Sequence, residues 1–195
     1  MVIDQLFKDR TSIGNKNSGT AIAYFYFDFG GGDKQLMEHA LRRLVLQLSA
    51  QCSIPYDMLL KYYELYDGQK VPTWDELLVL LEKLLKDLDR TYLILDALDE
   101  CRTEDHDLIV DFVQKILDWS AVRLHVLVTS QPRRTFENGF ASLPKFGRIT
   151  MQEDTISRDI ELYVSNKLSS KSALEHWKYN SEQIIFHIVK KSAGM

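Results

Sequence analysis

The chain has 195 residues, 45% of them hydrophobic and 11% aromatic, with 24 Lys and Arg against 28 Asp and Glu for a formal net charge of −4. That is enough apolar material for one buried core, so a single folded domain is expected and disorder is not. The charges mostly interleave and leave no broad basic field for a phosphate backbone, which argues against nucleic acid as a partner.

The opening stretch MVIDQLFKDR mixes acids and bases, and no apolar signal core follows it. The greasiest segment, LLVLLEKLL (Leu77 to Leu85), is broken by Glu82 and Lys83 and is far shorter than a bilayer span of about 20 residues, so no membrane partner is expected. Cys52 and Cys101 are the only cysteines and belong to no metal-binding spacing. A reducing, cytoplasmic location fits that usage.

In chain order, a loop is expected over Ile13 to Gly19, followed by a strand over TAIAYFYFDF (Thr20 to Phe29). The glycine-rich turn Gly30 to Asp33 then leads into a helix from Asp33 to Gln51, with Asp33 as its N-cap. Its apolar stripe is Leu36, Met37, Ala40, Leu41, Leu44, Val45 and Leu48. Tyr62, Tyr63 and Tyr66 read as aromatic packing of a short helix rather than as a base-stacking surface, and Asp67 to Pro72 as a loop.

A second amphipathic helix begins at Thr73, whose hydroxyl stands three residues before Glu76 as in a capping box, and carries Leu77, Leu78, Leu81, Leu84, Leu85 and Leu88. Next come a strand, TYLILD (Thr91 to Asp96), a helix over Asp105 to Trp119, and a strand, RLHVLVTS (Arg123 to Ser130). A loop from Gln131 to Lys145, a weaker strand GRITM (Gly147 to Met151), and helices over Ser157 to Leu168 and Ser181 to Lys191, with Gly194 as C-cap, complete the reading. The two middle strands are almost continuously apolar, as parallel strands covered on both faces require. Strands alternating with helices imply an α/β protein with a mostly parallel sheet.

Chemistry concentrates at the end of TYLILD. In open parallel sheets, ligands bind at the carboxyl ends of the strands, where loops and helix N-termini converge. An apolar strand ending in Asp96 has the pattern of a Walker B strand, in which the acid orients Mg²⁺ beside a nucleotide's β- and γ-phosphates. Glu100, or Asp99, is placed to polarise the attacking water. Thr129 and Ser130, ending another apolar strand one helix later, could hydrogen-bond the γ-phosphate. Against this stands the plain reading that an acid at a strand end marks an exit into a turn. Glu104, Asp105 and Asp107 read as the acidic start of the next helix. The five histidines are scattered and form no ligand pair.

Taken together, AYFYFDF, LRRLVLQL, TYLILDALDEC, LHVLVTSQP, DTISRDIELYV and IVKKSAGM resemble the NACHT domain of signal-transducing (STAND) P-loop NTPases, in the fungal form labelled nephrocystin 3-like N-terminal. The resemblance runs over nearly the whole chain. It implies a P-loop-type three-layer α/β sandwich and a switch that binds ATP or GTP with Mg²⁺. It also implies protein partners engaged through repeat or effector regions outside this chain, and leaves room for a homo-oligomer in the full-length protein. On the family pattern, Asp96 is the magnesium acid, Glu100 with Asp99 the hydrolytic pair, and Thr129 and Ser130 the sensor.

The sequence departs from that pattern in four places. No GxxxxGK[ST] loop is present, since SIGNKNSG and FGGGDKQ lack its Gly-Lys-Ser/Thr ending. MVIDQLFKDR resembles the stretch just beyond the P-loop lysine, so the expectation is a domain cut at both ends, without its first strand and inactive as written. That strand would lie centrally, between the one ending at Thr129 and GRITM, so poor stability or aggregation is expected. Gln131 stands where relatives carry an arginine able to reach the γ-phosphate, and Arg133 or Arg134 is the substitute. Ala97 replaces a common glycine, harmless if its φ is negative. The competing reading is a non-catalytic scaffold that keeps the sheet; a metal-dependent hydrolase without nucleotide lacks further ligands.

Overall fold

The computed structural model describes residues 20–30, 32, 36–119, 123–143, 146–150, 153–170, 177 and 180–192. The expected loop over 13–19, the capping roles of Asp33 and Gly194, and Met151 lie outside these residues. The chain divides into two compact units, one ending at Phe146 and the other beginning at Gly147.

The first unit is built on three parallel strands in the order β1 (Thr20–Tyr26), β2 (Arg90–Asp96), β3 (Leu124–Val128). Register runs from Thr20 opposite Arg90 to Tyr26 opposite Asp96, and from Thr91 opposite Leu124 to Leu95 opposite Val128. The helices are α1 (Met37–Ser49), α2 (Asp57–Leu65), α3 (Trp74–Asp87), α4 (His106–Leu117) and α5 (Arg134–Ala141), with short 3₁₀ turns at Leu98–Glu100 and Thr103–Asp105. This is a mixed α/β fold, a parallel sheet flanked by helices, consistent with a P-loop-like architecture.

One face of the sheet carries the main core. Ala21, Ala23, Phe25 and Phe27 of β1 and its exit, with Leu93 and Leu95 of β2, pack against the leucine stripes of α1 and α3 and against Ile109, Phe112, Val113 and Ile116 of α4. Each such side chain fully withdrawn from water contributes roughly 1.5–3 kcal/mol. The opposite face holds a small cluster in which Ile22 and Ile94 are buried beneath half-buried Tyr24, Tyr26 and Tyr92.

Four expectations change. α1 starts at Met37, with Leu36 at the N-cap and no side-chain cap bond from it. Asp105, at the N-cap of α4 as its sequence position suggested, also reaches across and accepts the Met37 N–H at 3.1 Å. The stretch 131–145, expected as loop, contains α5. There Phe136 and Phe140, one helical turn apart, bury themselves in the core, and Gln114 Nε2 donates to the Gly139 carbonyl at 3.1 Å.

Residues 147–150 form no strand, and Ile149 is 92% exposed. A strand needs a partner ladder, and none forms there among the described residues. Ala97 has φ 58 and ψ 52, so it is left-handed rather than in the negative region that would make it harmless. In the second unit α6 (Glu153–Ser170) packs with α7 (Ser181–Ser192), the first longer at both ends than its apolar spacing suggested.

Candidate functional site

The carboxyl ends of all three strands meet at the turn 96–101. The inward run of β2 stops at Asp96, whose side chain lies on the same face as Tyr92 and Ile94. Thr129, just past β3, donates its hydroxyl to Asp96 Oδ1 at 2.5 Å and accepts the Ala97 N–H on the same oxygen at 2.9 Å. Its backbone joins as well: Thr129 N–H donates to the Leu95 carbonyl at 3.0 Å, and Leu98 N–H donates to the Thr129 carbonyl at 2.9 Å. The threonine therefore fixes both the carboxylate and the turn that follows it.

The next two acids point elsewhere. Asp99 is only 7% exposed, and its Oδ1 accepts the Gln131 N–H at 2.9 Å, tying the turn to the exit of β3. Glu100 Oε2 accepts the Phe29 N–H at 3.1 Å, tying the turn to the exit of β1. These long-range bonds to backbone are a structural use of carboxylates that the sequence reading did not weigh, and sequence spacing carries no signal of them. Phe27 N–H donates to the Asp96 carbonyl at 3.1 Å and extends the β1–β2 ladder to the same level.

A family model for nephrocystin 3, N-terminal, matches residues 1–131, two thirds of the chain and all of the turn just described. The chain belongs to the nephrocystin 3 N-terminal family. No curated protein and no solved structure matches it.

In this family member the remaining candidates spread out from the turn. Ser130 donates its hydroxyl to the Gln131 carbonyl at 2.6 Å, so it is committed to its own loop. Arg133, at the N-cap of α5, is exposed and forms no ion pair among the described residues. The structure thus brings Asp96, Thr129, Asp99 and Glu100 to one turn and leaves Arg133 exposed at the start of α5, bonded to none of them.

Mg²⁺ keeps much of its water and asks for one or two protein carboxylates beside phosphate oxygens. Asp96, held at Oδ1 with Oδ2 unbonded among the described residues, fits that demand. A protein-only metal cage does not form, since the described residues contain no group of three or more His, Cys, Asp or Glu able to hold an ion. Among the same residues no helix is long and apolar enough to cross a membrane.

Proposed function

We propose that this chain carries the magnesium-orienting and water-activating side of a nucleotide-dependent switch of the NACHT type, among the signal-transducing P-loop NTPases. The observation that carries this reading is the 2.5 Å hydrogen bond from Thr129 to Asp96 across the carboxyl ends of adjacent parallel strands. Ligands of open α/β sheets gather at that position. Asp96 would hold Mg²⁺ through its water shell; when bound, the ion neutralises charge on the β- and γ-phosphates of ATP or GTP. Thr129 keeps the Asp96 carboxylate in one rotamer, its hydroxyl proton being given to Oδ1.

Glu100 is the better general base of the two following acids, because only one of its oxygens is engaged and Asp99 is buried. Ser130 and Arg133 border the place where a γ-phosphate would lie. The phosphate grip is assigned to no described residue. Protein partners engaged through repeat or effector regions, and a cytoplasmic setting, belong to the same proposal.

The test is Mg²⁺-dependent binding and hydrolysis of ATP and GTP by the full-length protein. Asp96→Ala should abolish both, whereas Glu100→Gln should keep binding and slow hydrolysis by about 10²-fold or more, the usual contribution of a general base. Undiminished hydrolysis in Asp96→Ala overturns the assignment. A second reading, a scaffold that retains the sheet without catalysis, is favoured by the backbone bonds of Asp99 and Glu100. It expects no Mg²⁺-dependent nucleotide binding in the wild type, and a loss of stability in Glu100→Ala.

A further inference from the structure

We propose that the cavity at the C-terminal ends of α1 and α3 is a binding site for a primary ammonium group carried on a short alkyl chain. The cavity measures about 100 Å³ and is lined by the last residue of each helix, Ser49 and Asp87, together with Cys52 and Ser53 of the connection between α1 and α2. Ser49 is only 1% exposed, and its hydroxyl has no hydrogen-bond partner among the described residues. A buried hydroxyl left unpaired is destabilising, so this one calls for a partner that the chain itself does not supply.

The cavity also carries an unmatched negative charge. Asp87 is exposed on its solvent side and stands in the last turn of α3, where the helix dipole already places negative charge. Its neighbours are neutral: Ser53 donates its N–H to Oδ2 at 3.3 Å and its hydroxyl to the same oxygen at 3.1 Å, and burial, followed by the charge of Asp87, holds the adjacent Cys52 thiol up at about 12. Lys86, the base in the last turn of α3, is drawn to Glu82 at 2.6 Å, and the last turn of α1 contains no base. Asp57 lines the cavity too but is matched by Lys61 at 2.8 Å. Among the described residues Asp87 forms no ion pair.

The donor set selects among cations. The described residues contain no group of three or more His, Cys, Asp or Glu able to hold a metal ion, so a divalent ion finds too few ligands here. The Ser53 hydroxyl lies 3.4 and 3.1 Å from the two Asp87 oxygens and so occupies the paired edge that a flat guanidinium would use. An ammonium is compact and has three donors that rotate, so it needs no such edge. It can give one N–H to the Asp87 carboxylate and another to the Ser49 oxygen, while Ile54, Met58 and Leu84 cover the alkyl stem. Asp87 precedes β2 and Asp96 ends it, which sets this cavity at the opposite end of that strand from the candidate nucleotide site, roughly 20 Å away.

The ammonium comes either from a free short-chain amine or from a lysine side chain of a partner, and calorimetric titration of the full-length protein at fixed ionic strength separates the two. The n-propylammonium ion should bind with a Kd on the order of 1 mM, whereas tetramethylammonium, which has the charge but no N–H, should not bind. Asp87→Asn should weaken n-propylammonium about fivefold and Ser49→Ala roughly threefold, with circular dichroism checking the fold of each. Ser49→Ala should also leave the ligand-free protein no less stable, because the hydroxyl it removes is unpaired. Binding of Nα-acetyl-lysine methylamide as strong as that of n-propylammonium identifies a partner's lysine as the carrier, and its exclusion while n-propylammonium binds identifies a free amine. Nucleotide hydrolysis should be unchanged in Asp87→Asn, so failure of either reading leaves the other standing. Equal binding of tetramethylammonium, equal binding by wild type and Asp87→Asn, or no binding of either amine, the cavity then holding water only, overturns the proposal.

Discussion

Ala97 sits in a backbone conformation that side chains disfavour, with φ 58, directly after the acid at the centre of the candidate site. Its neighbours hold it there: its own N–H goes to the Thr129 hydroxyl, the next N–H goes to the Thr129 carbonyl, and Glu100 N–H closes the turn on the Ala97 carbonyl at 2.9 Å. For an L-residue the left-handed region costs about 1–2 kcal/mol, of which glycine is spared most but loses some to its freer unfolded chain. Ala97→Gly should therefore stabilise the first unit by roughly 0.5–1 kcal/mol, seen as a higher urea midpoint at unchanged slope; a lower midpoint would contradict the strain. The acids themselves were legible in the sequence, because an apolar run that stops at Asp96 fixes where the sheet ends. The partners of Asp99 and Glu100 were not, since they are backbone N–H groups 32 and 71 residues away.

Among the elements, α3 shows local chemistry deciding a boundary. Thr73 accepts the Glu76 N–H at 3.4 Å while Glu76 accepts the Thr73 N–H at 2.9 Å, the reciprocal capping expected from the sequence TWDE. Lys70 at 2.5 Å, the Thr73 backbone and the Tyr62 hydroxyl also bind the Glu76 carboxylate, and these bonds, the Lys70 one foremost, hold it down at about 2 from an ordinary 4.5. A lowered folded value means the contribution is intact above pH 4.5 and is lost as the pH falls toward 2. Glu76→Gln should be less stable than wild type at neutral pH, with the difference shrinking across that window in urea titrations. A constant difference would show that the carboxylate's charge plays no part. Where elements depend on distant partners, the sequence was a poorer guide. α1 gives its first N–H to the distant Asp105, α5 forms because Phe136 and Phe140 find the core, and 147–150 is exposed with no ladder to join among the described residues.

For the molecule as a whole, both thiols sit within the first unit's core, Cys101 against the site turn and Cys52 behind α1. Burial pushes both up to about 12 from an ordinary 9.0, with the charge of Asp87 adding to the effect at Cys52 and that of Asp105 at Cys101. Two consequences follow from the same shift. At pH 8 the thiolate fraction of the folded chain is on the order of 10⁻⁴, so a disulfide reagent should label the native protein very slowly and unfolded protein quickly. Raised folded values also mean that the folded state holds these protons longer than the unfolded one. Their contribution is complete below pH 9 and declines as the pH rises toward 12. With Glu76 acting at the acid end, stability should form a plateau between about pH 4.5 and 9 and fall on either side. Replacing both cysteines by alanine should flatten the alkaline fall without moving the acid one. Labelling of both thiols in one step at the urea midpoint would identify the first unit as a single cooperative body, because Cys52 and Cys101 lie in one core cluster. Labelling of Cys52 well before Cys101 would show instead that the region behind α1 opens separately from the strand ends that carry Asp96.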